Sequence, residues 1–155
     1  MVSMVGFPDK VTLWDPEAMV DLSEFQAMLN RQRTAVAAFY GGDAEPYLAL
    51  FSDLEPVTVF GAFGPAASGP SAVTACLRAA AAQLADIEEF RFEVFALDVG
   101  QDFAYAVGHE RGRVGVAGGP AQPLAVRVTH VYRRGPQGWL IVHRHDATAP
   151  DDDPS

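Results

Sequence analysis

The sequence predicts an α+β fold with a mostly antiparallel sheet, on three observations. In the front half, apolar residues recur at helical spacing; in the back half, the spacing falls to two. Helix-like segments come first and strand-like segments later, which is the order of an α+β domain and not of alternating βαβ units. No repeat and no linker divides the 155 residues, so one core is expected.

The elements follow in order. Ser23, with Gln26 three residues on, forms a weak capping box before Phe25, Met28, Leu29, Val36 and Phe39, and Gly41-Gly42 stops that helix. Asp43 can cap a short second helix over 44–51, with Tyr47, Leu48 and Phe51 on one side. Val57 to Phe60 is a short β-branched run, read as a strand. Ser71 is expected to cap an alanine-rich third helix that runs through Ala85. Four strands are then predicted at 90–99, 103–116, 124–134 and 139–146, with Gly135-Pro136-Gln137-Gly138 as a hairpin turn. Residues 1–22 read as an N-terminal extension, 23–147 as the domain and 148–155 as a disordered acidic tail.

Composition bounds the function. Hydrophobic residues make up 49% and charged residues 20%, a globular balance. No apolar run reaches the roughly 20 residues of a membrane helix, and the N-terminus lacks the order of a signal peptide. A cytoplasmic protein without a membrane partner is expected. The single cysteine, Cys76, forms no intrachain disulfide and no cysteine-based zinc cage, and reads as a packed hydrophobe. Ten arginines against one lysine, with abundant alanine, point to a GC-rich bacterial source.

The net charge of -9 is unevenly spread. Residues 1–90 carry a net of -8, whereas residues 103–145 carry +5 and all four histidines. An acidic total argues against nucleic acid, because phosphate binding needs a basic surface. The basic, histidine-bearing segment is therefore where a site is sought.

Alternation along those strands groups the side chains. Ala104, Ala106, Gly108 and Glu110 share one face, a row of small residues ending in the segment's one acid. Ala125, Arg127, Thr129 and Val131 share a face of the next strand; Trp139, Ile141, His143 and His145 share a face of the last. If Arg127 neighbours Glu110, the two form an ion pair facing a cavity, since a buried carboxylate needs such a partner. Pattern alone leaves open which face is inward: Tyr105, Val107, Val126 and Val128 make the opposite side more apolar.

The ordered set Phe39-Tyr40 before Gly-Gly-Asp, PVTVFGAFGP (56–65), GHE (108–110), RVTHVYRR (127–134) and GWLIVHRH (138–145) resembles the SnoaL-like and ketosteroid isomerase-like families of the nuclear transport factor 2-like superfamily. The likeness spans about residues 23–147, and the last hairpin also looks like the association domain of calcium/calmodulin-dependent kinase. The resemblance implies a cone-shaped half-barrel: a curved sheet wrapped around three helices. It also implies a pocket on the concave side and a homodimer through the convex side. Glu110, Arg127 and Thr129 would face the pocket, with His143 and His145. Tyr40, Tyr47 and Phe51 would form a lid, and Phe60 a rim. The Asp base of ketosteroid isomerases is unmatched, because Phe60 and Gly61 stand at its place.

The implied ligand is a small hydrophobic molecule, polycyclic or polyketide-like. An isomerase or cyclase would use Glu110 or His143 as acid–base and Arg127 to stabilise an enolate. An adjacent arginine lowers a carboxylate pKa, however, so the pair suits binding or structure better than base catalysis. His143 and His145 have the spacing of two metal ligands but lack an assured third; pocket-lining histidines are the simpler reading, with no metal and no cofactor. The alternative is a non-catalytic ligand-binding or dimeric assembly domain.

Overall fold

The computed structural model describes residues 22–62 and 64–150. The expected N-terminal extension and most of the acidic tail lie outside the described residues. Helix α1 (Leu22–Tyr40) buries Phe25, Met28, Leu29, Gln32, Ala35, Val36, Phe39 and Tyr40, one stripe at helical spacing. Ser23 is its second residue and not its cap. The helix ends in a Schellman turn: Asp43 N–H donates to Ala38 O and Gly42 N–H to Phe39 O. Gly42 sits at φ +103°, and a Cβ there would lie 2.9 Å from Leu84 O, so glycine is required twice over.

Helix α2 (Glu45–Leu48) is shorter than expected, and Asp43 accepts the backbone N–H of Glu45 at its start. Strands β1 (Thr58–Phe60) and β2 (Ala67–Ser68) form a small hairpin. Helix α3 (Pro70–Ala81) places Pro70 at its first turn after Gly69, so Ser71 lies inside it. It stops four residues before Ala85, and that residue pairs with Gly115 in the sheet. Cross-strand hydrogen bonds thus override the alanine run's helical propensity at its end.

Strands β3 (Leu84–Val99), β4 (Phe103–Val116), β5 (Ala121–Gly135) and β6 (Gly138–Thr148) make the main sheet. Its order is β2-β1-β6-β5-β4-β3, with β1 parallel to β6 and all other pairs antiparallel. The curved, unclosed sheet carries the helices on its inner side, the α+β cone the sequence predicted. Leu97, Val99, Ala104, Ala106, Val114, Tyr132, Trp139 and Ile141 line that inner side and form one core with α1. Phe25 anchors it, edge-on to Tyr132 at 4.9 Å and to Trp139 at 5.5 Å. Each large apolar side chain buried this way contributes about 1.5–3 kcal/mol. Among the described residues, no helix is long and apolar enough to cross a membrane.

Two features of register decide which residues face inward. In β4–β5, Glu110 lies opposite Val126, Gly108 opposite Val128 and Ala106 opposite His130. Arg127 lies opposite His109 instead, on the outer face. In β6 the pairing steps from Val131↔His143 to Tyr132↔Ile141, leaving Val142 as an extra, bulged residue. The bulge reverses the alternation, so Trp139, Ile141 and Arg144 point inward while His143 and His145 point outward. This corrects the alternation that put His143 and His145 on one face with Trp139 and Ile141, and the placing of Arg127, Thr129, His143 and His145 toward the pocket that the resemblance implied.

Candidate functional site

Beneath the helices, the small residues Ala104, Ala106 and Gly108 of β4 lead to Glu110, which is 0% exposed. Its partner is Arg144, not Arg127. Arg144 Nη1 donates to Glu110 Oε2 and Nη2 to Oε1, each at 2.8 Å, a bidentate pair. Tyr40 from α1 donates its hydroxyl to Glu110 Oε1 at 2.6 Å. Arg144 Nη1 also donates to the Tyr47 hydroxyl at 3.1 Å, and Nε to Asp146 Oδ2 at 2.9 Å. Asp146 is thus the second acid of the cluster, and its Oδ1 accepts the Ala62 N–H at 2.8 Å.

A second string of polar groups runs deeper. The Tyr47 hydroxyl lies 2.6 Å from His130 Nε2, and Gln32 Nε2 lies 3.3 Å from His130 Nδ1. Tyr132 donates to Gln32 Oε1 at 2.5 Å. With the amide so oriented, Nδ1 accepts and the imidazole proton sits on Nε2, directed at Tyr47. Gln32, His130 and Tyr132 are each 0% exposed, so the string is a closed hydrogen-bonded core network.

The environment sets the protonation states. Burial pushes the Tyr40 phenol well above its ordinary value, and the Glu110 charge adds to the effect. Burial likewise raises Tyr47 and Tyr132. Burial lowers His130 well below the usual histidine value, and Arg144 reinforces it, so the ring is neutral. Burial opposes the charge on Arg144, but Glu110 and the two phenols outweigh it and raise its pKa. The interior therefore holds a fixed guanidinium between two acids, with the Tyr40 phenol donating to Glu110, the Tyr47 phenol accepting from Arg144, and a neutral imidazole beyond it. Cys76 in α3 is a half-buried thiol whose pKa is raised by burial and then by Asp146.

The residues singled out in the sequence separate onto the two faces of the sheet. Glu110, Tyr40 and Tyr47 meet in the interior, with Phe51 edge-on to Tyr47 at 4.9 Å. Arg127, Thr129, His143, His145 and Phe60 stand on the convex face. Thr58 Oγ1 lies 2.7 Å from His143 Nδ1, and the Phe60 ring is 5.3 Å from His143 and 5.9 Å from His145. Burial, followed by neighbouring His145, lowers the His143 pKa. Among the described residues, no group of three or more His, Cys, Asp or Glu stands where it could hold a metal ion.

Sequence reasoning missed Arg144, Asp146, His130, Gln32 and Tyr132 as members of the cluster. One signal was readable: Gln32 interrupts the apolar stripe of α1 and is fully buried there. A polar residue at a core position needs a partner.

The comparisons agree with this architecture. Residues 29–150 match the SnoaL-like domain family. A ketosteroid isomerase-like protein from Erwinia carotovora atroseptica superposes with a TM-score of 0.70 at 18% identity, covering 83% of this chain and 97% of that one. A nuclear transport factor 2-like superfamily protein from Salmonella enterica gives 0.66 at 18% identity, covering 84% and 92%. A nuclear transport factor 2-like protein of unknown function from Pseudomonas putida gives 0.61 at 25%, covering 84% and 88%. No curated protein matches the chain.

Proposed function

The chain belongs to the SnoaL-like domain family, and on that premise we propose that it binds a small, largely apolar molecule between its helices and the concave face of its sheet. The observation that supports this most is the Glu110–Arg144 pair capped by the Tyr40 and Tyr47 hydroxyls. It sets a polar cluster among the packed core side chains of Phe39, Phe51 and Phe90, so that parting this packing would give a ligand apolar walls and one polar end. A polycyclic, polyketide-like compound with one polar edge suits those walls. Tyr40 is 5% exposed and Tyr47 0%, so entry requires α2 to part from the sheet.

For an isomerase or cyclase, the interior offers Tyr47 and neutral His130 as the acid–base couple. Arg144 takes the enolate-stabilising place that the isomerase or cyclase reading gave to Arg127. A non-catalytic binding or assembly role has its own support, because Arg144 and Glu110 satisfy each other fully within the fold. In either case the convex face is the proposed homodimer surface: Phe60, Phe95, Phe103 and Tyr105 are all more than two-fifths exposed on it.

Titration of the purified protein with dihydroxyanthraquinone, followed by fluorescence of buried Trp139, tests the binding reading. Saturable binding that Tyr40→Phe and Glu110→Gln weaken is expected. Absence of saturation would sink it. Mass and absorbance analysis of the recovered compound separates turnover from plain binding.

A further inference from the structure

The backbone around Tyr47 is fastened to the rest of the molecule at its two ends. In front, Asp43 N–H donates to Ala38 O at 2.9 Å. Behind, Ile141 N–H donates to Leu50 O at 2.8 Å and Ser52 N–H to Ile141 O at 2.9 Å, beside the parallel bridge Phe51↔Ile141. Between these clamps the backbone bonds are local: Leu48 to Ala44, Ala49 to Glu45, Leu50 to Tyr47 and Phe51 to Leu48. Among the described residues, no backbone–backbone hydrogen bond from 44–49 reaches another element. We infer that residues 44–49 open as one flap, and that the Glu45–Arg78 ion pair is its outer catch. The flap's role as the gate to the interior rests on the binding reading above.

Polar side chains fasten the span on two sides. Inward, the Tyr47 hydroxyl accepts from Arg144 Nη1 and meets His130 Nε2. Outward, Arg78 of α3 donates through Nε to Glu45 Oε1 at 2.9 Å and through Nη2 to Oε2 at 3.3 Å, a forked pair tying α2 to α3. Ala44 and Leu48 add apolar contact with the core, while Glu45, Pro46 and Ala49 face solvent. Both members of the ion pair are more than half exposed, so it is weak and yields to salt. It holds the closed state without locking it.

With both ends clamped, the span cannot swing as a rigid body. Unwinding the turn of α2 supplies the slack, because the chain lengthens from about 1.5 to about 3.3 Å per residue. The bowed segment then carries Tyr47 away from the sheet. This opening strands no buried charge. Arg144 keeps both Glu110 oxygens and Asp146, and Tyr40, which belongs to α1, keeps Glu110. The polar bonds lost inside are the two at the Tyr47 hydroxyl, and water replaces them once the flap is open. Segments with few bonds to their surroundings are where local opening occurs.

Native-state hydrogen exchange on the ligand-free protein tests this. The amides of Leu48, Ala49, Leu50 and Phe51 should share one opening and be far less protected than the core amides of β5. Arg78→Gln and Glu45→Gln should each speed those four amides about two- to fivefold and leave β5 unchanged. Raising the ionic strength from about 0.01 to about 1 M should do the same to the wild type and not to either variant. The reversed pair, Glu45→Arg with Arg78→Glu, should restore slow exchange. Four amides that exchange only with β5, or at unrelated rates, overturn the flap; exchange unchanged in both single variants overturns the catch. Expected exchange without saturation by dihydroxyanthraquinone would support the flap and sink the binding reading alone. Saturation with exchange unmoved by the variants would do the reverse.

Discussion

Arg144 meets Glu110 end-on, each terminal guanidinium nitrogen 2.8 Å from a different carboxylate oxygen, across the width of β5. Both side chains are almost wholly buried, at 3% and 0% exposure. A pair this deep gains its attraction against a large desolvation cost, so its worth lies in completeness. Removing Arg144 strands the buried Glu110 carboxylate with the Tyr40 hydroxyl as its remaining donor.

Arg144→Met should therefore destabilise the fold by about 3–5 kcal/mol, measured by urea unfolding. Adding Glu110→Gln to that variant should restore part of the loss, because the stranded charge is gone. A double variant no better than the single one would show that the cost lies in packing.

Acid should weaken the fold through His130. Its folded pKa is depressed well below 6.5, so the unfolded chain binds its proton first. The stabilisation is complete above the unfolded value and is lost as pH falls below about 6.5, at about 1.4 kcal/mol per pH unit for one proton. His143, lowered more modestly, contributes in the same direction. Stability measured between pH 5 and 8 should show this slope in the wild type and a smaller one in His130→Asn.

Three of the four tyrosines, at 40, 47 and 132, are held protonated by burial. Alkaline titration at the phenolate absorbance should register them only when the chain unfolds, as a cooperative step. A smooth native titration of all four would contradict the closed interior.

Gly108→Ala should cost about 3 kcal/mol by overpacking against the β3 backbone at Glu93. The clash is with backbone, so no side chain can yield to relieve it. Thermal unfolding would read the loss, and NMR would show the β3 bulge at Phe95 displaced.

On the proposed homodimer contact, Tyr105→Lys and Phe103→Asp should lower self-association in sedimentation while changing monomer stability by less than about 0.5 kcal/mol. Phe103 is 55% exposed and lies under the Arg133 guanidinium at 5.5 Å. Unaltered self-association in both variants would remove the convex face as the contact.

Much of this architecture was legible before the structure. The stripe of α1, its stop at Gly41-Gly42 and the hairpin at Gly135–Gly138 all follow from local chemistry. Glu110, Tyr40 and Tyr47 meet in the interior through Arg144, where the resemblance implied a pocket residue beneath a lid. The alanine-rich segment was misjudged at its end, because the pairing of Leu84 and Ala85 with β4 is a long-range effect.

What the sequence determined by itself is which residues share a face within one uninterrupted strand, and hence the class of fold. Tertiary structure alone decided how those faces combine. Alternation has a period of two, so a one-residue difference in register exchanges inside for outside. The β4–β5 register sent Arg127 outward, and the bulge at Val142 brought Arg144 inward in its place. Both are set by hydrogen bonds between distant segments, which no local pattern of side chains records.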